Sequence, residues 1–274
     1  MLICQNEQEA ADGVKEIMLD KKFGASGNHV VVEEFLTGPE VSVLSFCDGK
    51  TVKPMVSSMD HKRALDHDEG LNTGGMGTVA PNPYYTPAVA ERCMQEIFLP
   101  TVAAMQAEGC PFKGCLYFGL MLTPDGPKVI EYNCRFGDPE TQVVLPLLES
   151  DLLTVMEATT NGMLDKTDVK FSDGAAACVI LASGGYPLAY EKGKEITGLT
   201  AGQLDAADVT VYHAGTAIKD GRLVTNGGRV LGVTATAKTL PEALKKAYAA
   251  TESIHFDKLH KRSDIGARAL AAMQ

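Results

Sequence analysis

Short runs of β-branched and aromatic residues, separated by turn-forming residues, recur along this chain and constrain its fold most. The clearest pair is LYFGLML at 116–122 and KVIEYN at 128–133, which flank the turn TPDGP and predict an antiparallel hairpin. Similar runs predict strands at 30–36, 41–46 and 51–57. Together with the predicted helices, these strands indicate an α+β protein.

Helical segments alternate with these strands. They are predicted at 6–20, from 86 onwards, at 145–160 and at 240–254. Asn6 is expected to cap the first, with Glu9 at the reciprocal capping position. Pro100 is expected to kink or split the second, because proline lacks the amide hydrogen that a helix interior needs.

Two regions differ in texture from the rest. Residues 58–86 are polar and rich in glycine, and they predict a long loop of the kind that often carries function. After about residue 172, the short strands AAACVILA, VTVYHAGT, RLVT and RVLGVTAT follow one another, separated by turn residues. This change predicts a second, smaller β-rich domain.

The composition limits the class of partner. With 25 basic and 35 acidic residues, the net charge of −10 argues against nucleic acid as the main partner, although loop amides or a metal can still bind an anion. Seven scattered cysteines without a C-x-x-C pair predict reduced thiols. The sequence shows neither a membrane-spanning apolar run nor a signal peptide, so the cytoplasm is expected and no membrane partner is predicted.

The strand at 128–133 carries polar residues on one face. Alternate side chains of a strand share a face, so Glu131 and Asn133 should point the same way, with Arg135 close behind in the loop. A carboxylate and an amide oxygen suit a hard divalent cation such as Mg²⁺. A solvent-facing polar edge is the alternative interpretation.

Two stretches of the 58–86 loop are candidates for ligand binding. GLNTGGMG at 70–77 has four glycines, and successive amides of such a loop can bind an anion, although a flexible surface loop would look the same. Asp60, His61, Lys62 and Arg63 group one acid with three potential cations, and a solvated turn is the alternative there.

Two further features are weaker. Residues 33–36 end a predicted strand, whose free backbone groups could bind the amide-like edge of adenine, as almost any strand end could. His213 and the stretch NGGR at 226–229 are interpreted as ordinary strand and hairpin residues.

Several long motifs occur in an ordered series. They are EEFLTGPE, MDHKR, LNTGGMG, GCLYFGLML, KVIEYNCRFGDPETQ, ASGGYP, VYHAGT and VTNGGRVLGVTA. Through nearly the whole chain they resemble the phosphoribosylamine–glycine ligase family of the ATP-grasp superfamily. That resemblance implies de novo purine synthesis, in which 5-phosphoribosylamine is joined to glycine through a glycyl phosphate, using ATP and Mg²⁺ or Mn²⁺. The partners it implies are the small-molecule substrates glycine, 5-phosphoribosylamine and ATP.

The resemblance also implies roles for individual residues. Glu131 and Asn133 would hold the metal, and Arg135 would stabilise the transferring phosphoryl group and the tetrahedral intermediate. Glu33, Glu34, Phe35 and Leu36 would bind adenine, and Glu40 the ribose hydroxyls. The pocket for glycine and phosphoribosylamine would comprise Asp60, His61, Lys62, Arg63, Asn72, Thr73, Gly74, Gly75, Met76, Gly77 and Asp138.

The implied architecture is an ATP-grasp domain followed by a small β-rich domain. Residues 1–57 would form part of the small lobe, 58–172 the large lobe and 173–274 the β-rich domain. The chain resembles the C-terminal two-thirds of the family, without its N-terminal domain and its Lys- and Gly-rich phosphate-binding segment. Weak nucleotide binding and little turnover are therefore expected. The alternatives are an inactive fragment of that ligase and another ATP-grasp carboxylate–amine ligase.

One position departs from the pattern of the superfamily. Many ATP-grasp enzymes carry an acid on the strand before the metal-binding strand. The corresponding place here is near Gly119. A second metal site is therefore not predicted with the first.

Overall fold

The computed structural model describes residues 2–199 and 208–274, which form two compact units, Met1–Gly38 and Pro39–Gln274. The first unit contains helix α1 (Glu7–Val14), a π-helical turn and a 3₁₀ turn at Gly24–Asn28. The predicted cap at Asn6 is confirmed, since its side chain accepts a 2.9 Å hydrogen bond from the Glu9 amide. The Glu9 carboxylate accepts from the Gln5 backbone amide at 2.8 Å and from the Asn6 side-chain amide at 3.1 Å, rather than from the Asn6 backbone amide.

The predicted strand at 30–36 is wrong. These residues form no strand in the described part of the chain. Val31 and Val32 are 83% and 84% exposed. A β-branched run favours a strand by packing on a pleated, half-buried surface, and the described part of the first unit offers no strand as a neighbour.

The second unit holds all of the described strands. In chain order they are β1 (Glu40–Asp48), β2 (Val52–Pro54), β3 (Met59–Asp60), β4 (Arg63–Leu65), β5 (Glu69–Asn72), β6 (Gly77–Ala80), β7 (Lys113–Thr123), β8 (Gly126–Asn133), β9 (Ala175–Ser183), β10 (Val209–His213), β11 (Thr216–Lys219), β12 (Arg222–Thr225), β13 (Arg229–Ala237) and β14 (Leu259–His260). Its helices are α2 (Pro87–Cys93), α3 (Leu99–Ala107), α4 (Thr141–Val144), α5 (Leu152–Asn161), α6 (Leu240–Thr251) and α7 (Ala267–Ala272).

The first sheet has the order β2-β1-β7-β8 and is antiparallel throughout. It contains the predicted hairpin, now β7–β8, in which Gly119 lies opposite Glu131 and Tyr117 opposite Asn133. The register shifts by one residue at Ile130, a β-bulge directly before Glu131. Such bulges commonly redirect side chains beside functional sites.

Helices α2 and α3 pack a hydrophobic cluster on this sheet that includes Phe98 and Phe118. Thr86 caps α2, accepting from the Val89 amide at 3.3 Å. A π-helical turn at Met94–Phe98 joins α2 to α3 immediately before Pro100. The predicted effect of Pro100 thus takes the form of a local widening that accommodates a residue without an amide hydrogen.

The second sheet has the order β10-β13-β9-β6-β3, with β14 also paired to β9. Strand β9 is buried along its whole length, and α6 packs on this sheet through Leu244 and Ala247. The predicted structureless loop at 58–86 is wrong, because it contains β3, β4, β5 and β6. Strand β6 forms by pairing with β9, about a hundred residues away, which local periodicity cannot reveal.

The predicted helix at 145–160 starts later than expected. Leu145–Leu147 is a 3₁₀ turn, and α5 begins after Asp151, whose carboxylate accepts from the Thr154 amide at 2.8 Å. The helix ends at Gly162 with a left-handed φ of 70°, as the Asn-Gly signal predicts. The sequence-based boundary at 172/173 remains a prediction, although β6 and β9 pair across it.

Two further observations concern the cysteines and the helices. All seven cysteines are free. Within 2–199 and 208–274, every helix is too short or too polar to cross a bilayer.

Candidate active site

Strand β8 presents Glu131 and Asn133 on one face. The Asn133 amide donates a 3.1 Å hydrogen bond to the Glu131 carboxylate. Tyr132 points the other way, with its ring 5.6 Å from that of Phe118 and its hydroxyl 3.0 Å from Thr101 Oγ1. The alternation predicted from the sequence is therefore present, and it brings a carboxylate and an amide together.

This pair suits one hard divalent cation, for which the two side chains would supply only part of the ligands. Both side chains offer oxygen atoms, Glu131 is exposed and Asn133 is half-buried. No group of three His, Cys, Asp or Glu side chains suited to a metal occurs among the described residues. Gly119, opposite Glu131, contributes no second acid. Water and substrate oxygens would have to fill the remaining positions, as is usual for Mg²⁺.

Lys62 lies among carboxylates. Its ammonium group forms a 2.8 Å ion pair with Glu40. Burial opposes the charged form of Lys62, but Glu40, and more weakly Asp60 and Glu131, raise its pKa. Lys62 therefore stays protonated near neutral pH, and the site holds a fixed positive charge.

Asp60, which is half-buried, and Glu140, which is buried, are two carboxyl groups that repel one another. Burial raises the pKa of both side chains, and repulsion from Glu140 raises that of Asp60 further. The Tyr117 hydroxyl donates to Glu140 at 3.1 Å and lies 2.7 Å from Ser42 Oγ. The protonated forms are thus favoured here more than in water.

Glu140 and Tyr117 were missed by sequence reasoning. Glu140 stands in the motif GDPETQ, from which Asp138 alone was selected, and Tyr117 is the cross-strand partner of Asn133. Applying the period of two to β7 as well as to β8 would have indicated Tyr117.

The loop at 72–77 is fixed to the Asp60–Arg63 stretch. Thr73 Oγ1 donates to the Lys62 carbonyl at 2.8 Å and accepts from the Gly75 amide at 2.9 Å. Gly75 has a φ of +113°, and a Cβ there would lie 2.6 Å from both Asp60 Oδ1 and Pro139 Cδ. Position 75 must therefore be glycine, because a side chain there would clash where the loop contacts the 134–140 segment.

Arg229 ties the same loop to Asp138. Its guanidinium donates to the carbonyls of Gly74 and Asp138, both at 2.9 Å, and lies 3.2 Å from the Asp138 carboxylate. The Tyr186 hydroxyl accepts from the Gly74 amide at 2.9 Å. Arg229 begins β13, as its interpretation as a strand and hairpin residue predicts, and its guanidinium also has partners more than ninety residues away.

A cleft of about 370 Å³ opens beside Asp138. It is lined by Gly137, Asp138, Thr141, Gln142, Leu145, Tyr212 and His213. His213 Nδ1 lies 3.1 Å from Thr216 Oγ1, a contact within its own β-strand region, as expected.

Three residues of the predicted substrate pocket face inward. Met76 is fully buried in the core, and Gly77 lies in β6. His61 is 1% exposed; its Nδ1 donates to the Gly77 carbonyl at 3.1 Å, and its Nε2 accepts from the Gly266 amide at 3.0 Å. Any part that these side chains play in binding substrate would be through the backbone they hold in place.

Arg63 of the predicted pocket and the predicted catalytic residue Arg135 are more accessible. Arg63 donates to the Gly70 carbonyl at 2.6 Å and pairs with Asn72 across β4 and β5. Arg135 is exposed and donates to the Phe136 carbonyl at 2.9 Å. Both side chains therefore keep surface that a ligand could contact.

The predicted adenine-binding residues belong to the first unit. Glu33, Glu34 and Phe35 are exposed there, and Leu36 is half-buried. Their role stays a prediction.

Comparison with models of known protein families shows to which family the chain belongs. The family model for the phosphoribosylglycinamide synthetase ATP-grasp (A) domain matches residues 1–141, just over half of the chain. The chain belongs to the phosphoribosylglycinamide synthetase family. The C-domain model of this family matches residues 176–268.

Curated relatives agree with this family. Phosphoribosylamine–glycine ligase of Vibrio vulnificus strain YJ016 is 46% identical over the whole chain, which covers 64% of that protein. The trifunctional purine biosynthetic protein adenosine-3 of Gallus gallus is 50% identical over 99% of the chain, which covers 27% of it. The chain thus spans about a quarter to slightly under two thirds of these relatives.

Solved structures establish the fold. Phosphoribosylamine–glycine ligase of Thermotoga maritima superposes with a TM-score of 0.83 at 36% identity, covering 96% of this chain and 64% of that one. The biotin carboxylase domain of 2-oxoglutarate carboxylase from Hydrogenobacter thermophilus gives 0.67 at 13% identity, covering all of this chain and 57% of that one. The fold of this family member is therefore ATP-grasp, followed by the C domain of the family.

Proposed function

We propose that the protein carrying this chain joins glycine to 5-phosphoribosylamine with ATP, forming glycinamide ribonucleotide, ADP and phosphate for purine synthesis. The observation that carries the proposal is the convergence of three stretches in one unit. Tyr117, which lies opposite Asn133 of β8, donates to Glu140, and the 72–77 loop contacts both Asp60 and the 134–140 segment. Relatives with this fold are named phosphoribosylamine–glycine ligase.

The proposed reaction has two steps. The glycine carboxylate attacks the γ-phosphorus of ATP, ADP leaves, and glycyl phosphate forms. The amine of phosphoribosylamine then attacks the glycyl carbonyl carbon. The bond between that carbon and the bridging oxygen breaks, phosphate leaves with the oxygen, and the nitrogen loses a proton to give the amide. Water must be excluded between the steps, because an acyl phosphate hydrolyses readily.

Residues of β8 and its following loop would serve the first step. Glu131 and Asn133 would hold Mg²⁺ or Mn²⁺, which when bound supplies Lewis-acid stabilisation to phosphate oxygens. The exposed Arg135 guanidinium would offset the charge on the transferring phosphoryl group, and then on the tetrahedral intermediate of the second step. These roles need an accessible cation beside an oxygen ligand pair, which this segment has.

The nucleotide and the two other substrates would use the remaining predicted residues. Glu33, Glu34, Phe35 and Leu36 would bind adenine, and Glu40 the ribose hydroxyls. Lys62 would attract anionic groups, with Arg63, Asn72, Thr73, Gly74 and Gly75 forming the wall around glycine and phosphoribosylamine. The proposed setting is the cytoplasm, with small-molecule substrates and no nucleic-acid or membrane partner.

The proposal is tested by phosphate release from the protein at its full encoded length, with the chain alone run beside it. ATP, Mg²⁺, glycine and freshly made phosphoribosylamine should together give turnover, and omitting either glycine or the amine should abolish it. Other amino acids or amines supporting equal turnover would point instead to a different ATP-grasp ligase.

Replacing Arg135 tests its role in the same assay. Arg135→Ala should lower kcat on the order of a hundredfold, the usual cost of removing a group that stabilises transition-state charge. Its melting temperature should stay unchanged, since the side chain is exposed. Arg222→Ala, which removes an exposed arginine paired with Glu195, is the matched control. Near-normal turnover of Arg135→Ala would remove this residue from the mechanism.

A further inference from the structure

Two segments nearly two hundred residues apart are held together in the second unit. We call residues 260–268 the strap and residues 60–68 the substrate segment, because the latter includes Asp60–Arg63. Two side chains of the strap bind adjacent carbonyl groups of the substrate segment. Arg262 Nη1 donates to the Arg63 carbonyl at 3.1 Å, and His260 Nε2 donates to the Ala64 carbonyl at 2.7 Å.

Arg262 is the centre of these contacts. It is 1% exposed, and its guanidinium forms two bonds with Asp264, at 2.7 and 2.9 Å, and a third with Asp68 at 3.0 Å. A buried guanidinium needs such partners, and a two-pronged carboxylate contact fixes its orientation. These partners hold Arg262 Nη1 in position to donate to the Arg63 carbonyl as well.

The turn at 66–68 is bound from the strap as well. The Asp66 carboxylate accepts from the Ser263 amide at 2.8 Å and from the Ser263 hydroxyl, and the His67 amide donates to Asp264 at 2.8 Å. His67 and Asp68 have φ values of 59° and 55°. Consecutive non-glycine residues in the left-handed region need surrounding contacts that hold them there.

The strap is itself fixed to helix α6. The Tyr248 hydroxyl accepts from the Ile265 amide at 2.9 Å and donates to the Arg262 carbonyl at 3.1 Å. The substrate segment is thus connected through the strap to a helix that packs on the second sheet.

We infer that the strap positions the substrate segment, and that Arg262 is the positioning residue. By holding the Arg63 carbonyl it fixes the neighbouring Lys62, whose carbonyl receives Thr73 and whose ammonium group pairs with Glu40. The consequence for catalysis rests on the proposed function. Arg262 itself would touch neither substrate nor metal.

Hydrogen exchange tests the inference without any need for turnover. Amide exchange of peptides covering residues 60–77 is compared in the parent protein, Arg262→Met, Arg262→Lys and the milder Asp66→Ala, which removes the two bonds from Ser263. We expect exchange in these peptides to rise about tenfold in Arg262→Met, and less in the other two variants. Unchanged exchange in both Arg262→Met and Asp66→Ala overturns the inference.

A matched control separates positioning from general loss of stability. Val233→Ala shortens a fully buried side chain of β13 in a hydrophobic cluster that contains none of residues 260–268. It should lower the melting temperature without selectively accelerating exchange at residues 60–77. Equal acceleration there in Val233→Ala would also overturn the inference.

Steady-state kinetics then test the effect on the site. In Arg262→Met the KM for glycine or phosphoribosylamine should rise about tenfold, while the KM for ATP stays nearly unchanged. Arg262→Lys should show a smaller rise. Unaltered KM values despite faster exchange would contradict a positioning role. If the parent protein gives no turnover, the proposed function has failed, and the exchange result alone decides the inference.

Discussion

Lys62 shows how one residue organises this site. Its ion pair with Glu40 is about a third to a half exposed on both sides. Pairs of that kind contribute little to folding, about 0–1 kcal/mol. The value of the pair therefore lies in holding a charged ammonium group beside Asp60 and Glu131, where a substrate anion would benefit from it.

His61, next to it, should make stability depend on pH. Burial, together with repulsion from Arg268 and Arg262, lowers its pKa from 6.5 to about 4. The folded state thus binds fewer protons than the unfolded state between these values, so stability present above pH 6.5 is lost as the pH falls towards 4. The contribution of His61 alone is about 3 kcal/mol.

His61→Asn is the test of that dependence. An asparagine amide can still donate to the Gly77 carbonyl but cannot titrate. Denaturant unfolding at a series of pH values should show a shallower loss of unfolding free energy between pH 6.5 and 4 in the variant. Parallel curves for parent and variant would show that His61 does not carry the effect.

At the residue scale, the sequence was informative where the pattern was local. Glu131 and Asn133 were found because alternation along one strand requires only neighbouring residues. Arg229, Tyr117 and Glu140 were missed because their partners come from other strands and loops. Alternation along β7 would have indicated Tyr117, but no local spacing predicts the contacts of Arg229 and Glu140.

The loop at 72–77 is the element on which the site depends most. Gly75→Ala should destabilise the protein by roughly 1–3 kcal/mol and reduce turnover, since its Cβ would press on Asp60 and Pro139 while its φ is unfavourable. Thermal unfolding and the KM for glycine measure the two effects.

Gly109→Ala is the matched control for that substitution. Gly109 also has a positive φ, of 75°, but no described atom lies within 4 Å of the Cβ position. Gly109→Ala should lower the stability of the protein because of the positive φ, and it should leave the KM for glycine unchanged. Equal KM changes in the two variants would mean that the close approach of Gly75 is irrelevant to the site.

Elements were predictable in proportion to how local their causes are. The β7–β8 hairpin and the capped starts of α1 and α2 follow from turn and capping residues. The run at 30–36 has strand composition but lies outside any described strand. Strand β6 has a glycine-rich approach and forms because β9 lies beside it.

At the scale of the whole molecule, the second unit brings the Asp60–Arg63 stretch, the 72–77 loop and the 131–140 segment together. The C-domain region contributes Arg229, Tyr186 and the strap to the same place. The β-rich region at the end of the chain therefore supports the candidate site. The sequence pattern predicted only a separate small domain there and gave no sign of these contacts.

The central claim is that ATP activates a glycine carboxylate in this site. The most direct measurement uses glycine labelled with ¹⁸O in both carboxylate oxygens, with ATP, Mg²⁺ and phosphoribosylamine, followed by mass analysis of the released phosphate. An acyl phosphate route transfers one carboxylate oxygen to phosphate, so we expect the released phosphate to carry a single ¹⁸O. Turnover that releases unlabelled phosphate would contradict it.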